Sequence, residues 1–207
     1  MHLSVIIPTY READLLRDLL ADIDLSPEIQ VIVVDKPSGD GTLDITEKFG
    51  AVYLTCENDV SAARNKGAEF ATGSFLLFLD ADQRLWSSTP MKDLLEWLDS
   101  NSHVRVATGP IWQAPGTSDI GSEIREAYRR FMPTLSGGYA LMTKEMFTKL
   151  GGFRPRSRCF MWWEDSDLSI RASLLDVIHT LPFATIHRRG FQFRLPIGEL
   201  VVEKKAR

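Results

Sequence analysis

Residues 74–84, SFLLFLDADQR, run five apolar side chains directly into Asp80 and Asp82. Two carboxylates one residue apart are hard oxygen donors of the kind that hold Mg2+ or Mn2+, above all where a diphosphate contributes further oxygens. If strand geometry persists past Leu79, alternation puts Asp80 and Asp82 on one side and turns Ala81 away, small enough for a ligand to approach. An Asp-x-Asp pair on its own also reads as a turn cap beside a solvent-facing acid, because acids are common where strands end. A second strand end strengthens the chemical reading: Asp35 closes VIVV as Asp80 closes FLLFL. In open α/β sheets ligands collect beyond the carboxyl ends of the strands.

The elements that must position these acids alternate along the first half. Residues 3–7 read as a buried strand closed by Pro8, and Leu15, Leu16, Leu19, Leu20 and Ile23 follow at helical spacing. IQVIVVD is a second strand; Thr42 is expected to cap a helix running toward Phe49 and ending at Gly50. AVYLTCE gives a third strand, Ser61 is expected to cap the next helix, and Gly67 within that helix implies close packing or a nearby substrate backbone. SFLLFLD is apolar on both faces, as a sheet covered on two sides requires. A helix from Pro90 and the strand VRVATGP complete a β-α repeat that predicts a mostly parallel sheet with helices on its faces. The second half is less regular. It contains an amphipathic segment at 121–132, the strand YALMTKE, a short helix ended by Gly151 and Gly152, a helix in DSDLSIRASLLD, and the late strand DVIHTLP.

The chain has 207 residues, 44% apolar and 25% charged, which fits one globular domain and excludes disordered and fibrous classes. A formal charge of -4 gives no support to a nucleic-acid stripe. Cys56 and Cys159 are too few for a disulfide scaffold, so a reducing, cytoplasmic setting is the simpler expectation. The first apolar run meets Arg11 and Glu12, reading as a first strand and not as a signal peptide. No run approaches the roughly 20 apolar residues that span a bilayer.

In order along nearly the whole chain, SVIIPTYRE, VIVVDKPSGDGT, ENDVSAARNKGAEFATGSFLLFLDAD, SGGYALMTKEMFTKLGGF, WWEDSDLSIRA and IHRRG resemble the family 2 glycosyltransferases of the GT-A fold. The resemblance implies a single α/β domain over 1–207, with a nucleotide-sugar half at 1–110 and an acceptor and catalytic-base half at 111–207. It implies that Pro8, Tyr10, Glu12 and Asp35 line the nucleotide pocket, with Arg64 beside the donor nucleotide. Asp80, Ala81 and Asp82 would flank the diphosphate, Asp82 would hold the metal most directly, and His187 would be a further metal or diphosphate contact. Asp165 would be the catalytic base. In one place the chain departs from the family pattern: Asp35-Lys36-Pro37-Ser38 stands where Asp-Asp-Gly-Ser is common, which leaves the nucleotide preference, UDP by expectation, less secure.

The implied reaction moves a sugar from a nucleoside diphosphate to an acceptor hydroxyl with inversion, Mn2+ or Mg2+ stabilising the leaving diphosphate and a carboxylate across the cleft taking the hydroxyl proton. WWEDSDL puts Glu164, Asp165 and Asp167 in the first turn of a helix, where the dipole favours acids on structural grounds as well. Trp162 and Trp163 read either as core or as a stacking surface for an acceptor. Arg154, Arg156 and Arg158, together with Arg188, Arg189 and the arginine-rich face of 121–132, are compatible with a solvated surface, with phosphate, or with a peripheral membrane contact that would suit a lipid-linked acceptor. Gly137 and Gly138 would permit backbone close to a sugar or make a turn. A saccharide acceptor and a homo-oligomer fit equally well. Two rival readings place a nucleotide over the same sheet: a nucleotidyltransferase, whose glycine-rich loop after the first strand is missing from PTYREADLL, and a noncatalytic nucleotide-sugar binder.

Overall fold

The computed structural model describes residues 2–85, 87–113, 135–155 and 163–188. The helix expected at 121–132, together with Arg156, Arg158, Trp162, Arg189 and the tail, lies outside the described residues.

Four parallel strands, β1 (Leu3–Thr9), β2 (Ile29–Asp35), β3 (Val52–Thr55) and β4 (Phe75–Leu79), form the first part of a seven-stranded sheet. Between them run α1 (Ala13–Asp22), α2 (Thr42–Lys48) and α3 (Val60–Phe70). After β4 come β5 (Gln83–Leu85), α4 (Pro90–Ser100), β6 (Val106–Thr108), β7 (Ile111–Gln113), β8 (Tyr139–Thr143), α5 (Lys144–Leu150), α6 (Glu164–Ser173), β9 (His179–Thr180) and β10 (Thr185–His187). The sheet order is β3-β2-β1-β4-β8-β6-β9, and β8 runs against both of its neighbours. The mostly parallel α/β architecture is therefore the observed one.

Alternation along the strands divides the core into two layers. Leu3, Val5 and Ile7 of β1, Val31 and Val33 of β2, and Phe75, Leu77 and Leu79 of β4 pack with Leu16 and Leu19 of α1 and Met91, Leu94 and Leu98 of α4. Ile6, Ile32, Val34, Leu76 and Phe78 point the other way, onto Ala63 and Ala68 of α3, Met146 and Phe147 of α5, and Leu168 and Ala172 of α6. Strands covered on both faces have no polar side to show, which is why they read as continuous apolar runs.

Several local expectations change. Pro8 does not close the first strand: β1 pairs with β2 through Pro8 and Thr9, near the strand end where a missing N–H matters least. Gly41, with φ of 92°, precedes α2, and the carboxylate of Asp40 accepts from Thr42 N at 3.3 Å and Thr42 Oγ1 at 2.8 Å. Thr42 is thus the first helical residue, not its cap. Asp59, not Ser61, caps α3 by accepting from Ala62 N at 2.9 Å. Gly67 is a packing glycine, since a Cβ there would sit 2.5 Å from Ile6 Cγ2. The small sheet β5-β10-β7 was not foreseen; its strands are three residues long, too short for a periodic signal.

Candidate functional site

At the carboxyl ends of β1, β2 and β4 the chain opens into a cleft of about 460 Å3. Its wall includes Pro8, Tyr10 and Glu12 from β1 onward, Lys36 after β2, Arg64 of α3, Asp80 and Asp82 after β4, and Glu164 at the start of α6. The structure thus gathers most of the residues singled out in the sequence. Tyr10 is 45% exposed, and Arg11 and Lys36 place cations 5.1 and 5.4 Å from the centre of its ring.

Asp35 and Ala81 lie outside that wall. Asp35 is 3% exposed, and its Oδ2 accepts from the Tyr53 hydroxyl at 2.9 Å. Its Oδ1 is buried and accepts no hydrogen bond among the described residues. Burial pushes the Asp35 carboxyl above the usual range; the Tyr53 bond partly offsets this, and the charges of Asp40 and Glu57 add to it. Ala81 is fully buried in the layer that contains Leu79 and Tyr139. A side chain packed there has no face for a diphosphate.

Strand alternation does not carry Asp80 and Asp82 past Leu79. The chain turns instead, with Gln83 N donating to Asp80 O at 3.1 Å, and both acids still line the cleft. They have different partners. Asp80 Oδ1 accepts from Arg64 Nη2 at 2.7 Å, whereas Asp82 Oδ2 stands 3.1 Å from His187 Nε2. His187 reaches Asp82 because β10 pairs antiparallel with β5, setting His187 opposite Gln83, and because Arg188 N donates to Asp82 O at 3.0 Å. The Arg188 side chain in turn pairs with Asp18 of α1. Among the described residues no three His, Cys, Asp or Glu side chains converge as a ready cation cage. Asp82 and His187 meet; Asp80 is drawn aside to Arg64.

Arg64 is the charge at the centre of the site. It is 3% exposed, and besides Asp80 it donates through Nη1 to Glu164 Oε1 at 2.9 Å. Burial opposes its charge, but Asp80 and Glu164 outweigh that and raise its pKa, keeping it a cation. Gly137 and Gly138 make room for this arrangement: a Cβ would lie 2.8 Å from Arg64 Nη1 at the first and 2.6 Å from Asp80 Oδ2 at the second. Sequence reasoning left that pair open between a sugar contact and a turn; what it missed was a buried guanidinium pressed against the backbone.

Asp165 follows Glu164 in the first turn of α6. Its Oδ2 accepts from Gly137 N at 3.3 Å and its Oδ1 from Ser166 N at 2.7 Å. Burial first and the charge of Glu164 second raise its carboxyl, while those bonds and Arg64 pull the other way. It is Glu164, not Asp165, that faces the cleft wall. Trp163 precedes the helix, and Asp167 is fully buried with Arg171 Nη2 2.6 Å and Arg154 Nη1 3.5 Å away. One arginine of the 154–158 cluster therefore has a structural partner.

Known proteins resemble this chain in sequence and in fold. The sequence model of glycosyl transferase family 2 matches residues 4–158. A putative teichuronic acid biosynthesis glycosyltransferase of Bacillus subtilis, TuaG, is 35% identical over 115 residues, covering 51% of this chain and 45% of its own. The glycosyltransferase AglE of Haloferax volcanii is 37% identical over 90 residues, 38% of this chain and 30% of its own. The chain thus spans less than half the length of these relatives. Among solved structures, S. aureus TarS 1-349 in complex with UDP-GlcNAc superposes with a TM-score of 0.71 at 25% identity, covering 92% of this chain and 60% of that one. The mannosyltransferase PcManGT of Pyrobaculum calidifontis, solved with GDP-Man and Mn2+, shares the fold with a TM-score of 0.65 at 22% identity, over 89% of this chain and 56% of that one. Since the family match runs from β1 through the strand-end acids to the turn after α5, the chain belongs to glycosyl transferase family 2.

Proposed function

We propose that the cleft binds a nucleoside-diphosphate sugar, a UDP-sugar first, and that the protein transfers the sugar to an acceptor hydroxyl with inversion. The observation that carries this reading is the convergence of Asp80, Asp82, Arg64 and Glu164 on one cleft at the carboxyl edge of the sheet. Asp35 Oδ1 accepts no hydrogen bond among the described residues, so this buried acid, although outside the cleft wall, is the one this reading assigns to a single N–H such as that of a nucleobase imide. TarS, solved with UDP-GlcNAc, supports the choice of donor class. The 1–110 half supplies these donor contacts; the half from 111 on supplies the acceptor side.

The donor set fits Mn2+ or Mg2+. Asp82 and His187 meet within 3.1 Å beside Asp80, and a diphosphate brings the further oxygens that hard cations require. Asp82 and His187 would hold such an ion, with Asp80 beside them on the same wall, and it would supply Lewis-acid stabilisation of the departing diphosphate. Arg64 adds fixed positive charge to the same wall without changing protonation. Asp165 is the general base. Its raised pKa fits proton acceptance nearer neutral pH than an ordinary carboxylate, whereas Glu164 is committed to Arg64. The bonds from Gly137 N and Ser166 N hold the Asp165 carboxylate in place beside Glu164 at the start of α6.

The acceptor is a hydroxyl of a saccharide or a lipid-linked glycan. Among the described residues no helix is long and apolar enough to cross a membrane. A thermal-shift screen of UDP-, GDP- and dTDP-sugars with and without Mn2+ tests the proposal. Selective, metal-enhanced stabilisation by one donor, followed by product formation with a panel of glycan acceptors, is expected. Stabilisation by nucleoside triphosphates alone would favour the nucleotidyltransferase reading, and donor binding without turnover the noncatalytic one.

A further inference from the structure

We infer that Asn65 is a positioning residue: its carboxamide holds the main chain of Phe153 so that the Phe153 ring backs the Arg64 guanidinium, and Arg64 in turn sets Asp80 and Glu164 across the cleft. The inference rests on the transfer reading above and extends it to a side chain outside the cleft wall.

Both ends of the amide are used. Asn65 Nδ2 donates to Phe153 O at 2.8 Å, and Phe153 N donates to Asn65 Oδ1 at 2.9 Å. The reciprocal pair fixes which way the amide points, because a flipped group would set donor against donor and acceptor against acceptor. The turn that offers this backbone requires glycine: Gly152 has φ of 70°, and a Cβ there would lie 2.6 Å from Asn65 Oδ1. Arg171 of α6 grips the same turn from the other side, donating to Leu150 O at 2.5 Å and Gly152 O at 2.9 Å. The segment from Leu150 to Phe153 is thereby a strut between α3, which carries Arg64, and α6, which begins with Glu164 and Asp165.

The strut ends in an aromatic ring aimed at the site. Phe153 is 2% exposed, its ring meets that of Phe78 edge-on at 5.1 Å, and its centroid is 5.1 Å from Arg64 Cζ. Arg64 Nε is buried and makes no hydrogen bond among the described residues. The plane of its guanidinium is accordingly set by the two carboxylates in front and the ring behind. Moving the Phe153 main chain moves the ring, and with it the fork that joins the two walls.

The test is a double-mutant cycle on transfer, with Asn65→Leu made in the parent and in a Glu164→Gln background. If Asn65 works through the Arg64–Glu164 contact, Asn65→Leu lowers kcat about tenfold in the parent, as a small misplacement of catalytic groups can. In Glu164→Gln its effect shrinks below about twofold, because the contact it maintains is already weakened. Asn65→Asp keeps the size and the acceptor but loses the donor; it is expected to lose about threefold and carries the same cycle if Asn65→Leu does not fold. A parent that transfers while both variants keep its kcat, or that loses the same factor in both backgrounds, overturns the positioning role alone. A parent that transfers no sugar from any donor overturns the transfer reading and this inference with it.

Discussion

On the side of the cleft proposed to take the donor, Pro8 and Asp80 stand at the ends of neighbouring parallel strands, with Asp35 buried at the end of β2 outside the wall, each delivered by a strand no longer than seven residues. On the facing side, Glu164 and Asp165 hang on contacts that span large stretches of chain: Arg64 to Glu164 and Gly137 to Asp165. The first wall follows from a rule of sheet architecture that opens ligand crevices beyond the carboxyl ends of parallel strands. The second depends on one buried cation and on glycines that let backbone approach it. A wall of the first kind should tolerate the loss of one side chain with a local effect, whereas a wall of the second kind should fail as a unit.

The sharpest way to separate the walls is Asp165→Asn. As the general base it should lower transfer about 10^2- to 10^4-fold while donor affinity, read by calorimetry, stays within about twofold. Normal turnover would remove Asp165 from that role and turn attention to Glu164. The pH profile gives a second reading. Because burial and Glu164 raise the folded carboxyl of Asp165 above its ordinary 3.8, the acid limb of kcat should fall above pH 3.8, with activity lost as pH drops through the raised value.

Arg64→Met tests the dependence of the facing wall on its cation. Removing it strands Glu164 and part-exposed Asp80 without their counter-charge, and breaking a buried pair in this way costs about 3–5 kcal/mol. Chemical denaturation is expected to show that loss, and an Arg64→Met/Glu164→Gln double variant should recover part of it, since it removes one uncompensated carboxylate as well. A loss below about 1 kcal/mol would mean that water reaches the pair and that the walls are held together by packing alone.

Asp82→Ala acts on the donor side only. If Asp82 holds the cation together with His187, the variant should lose about ten- to a hundredfold of the Mn2+-dependent part of donor affinity while keeping the parent's stability without metal. Equal metal-dependent affinity in variant and parent would sink the assignment.

The same contrast governs what the sequence could reveal. The apolar runs of β1, β2 and β4, and the acids that end β2 and follow β4, are legible because a strand buried on both faces has a distinctive composition and its exit is a fixed place. Capping was read one or two residues off, at Thr42 and Ser61, because any small polar residue near a helix start is a candidate and only coordinates show which carboxylate accepts. The partnership of Arg64 with Asp80 and Glu164, the clip from Asn65 to Phe153, and the approach of His187 to Asp82 leave no local trace. Each joins residues from distant elements, and the strand that brings His187 is three residues long. The glycines at 137 and 138 are the available signal: glycine where a periodic element is not ending often marks a close approach, though not what approaches, whereas Gly152 reads simply as a helix stop.

The smallest expected effect is that of Tyr53→Phe, at the hydroxyl that donates to Asp35. The Tyr53 hydroxyl is pushed up to about 12 by burial and by its bond to Asp35, so it stays protonated and donates across the neutral range. Losing it removes the hydrogen bond that orients Asp35 Oδ2, a change of about 0.5–1.5 kcal/mol, or roughly two- to tenfold in donor affinity. The sign of the accompanying stability change follows from linkage. The folded carboxyl of Asp35 is already raised, so the folded state holds a proton that the unfolded state releases, and stability falls as pH climbs from 3.8 to the raised value. Without Tyr53 that value rises further, so the variant should match the parent near pH 4 and fall behind it by neutral pH. An unfolding difference that is the same at both ends would mean that Tyr53 serves Asp35 by packing and not through its hydroxyl, and Asp35 would then owe its aim to the strand alone.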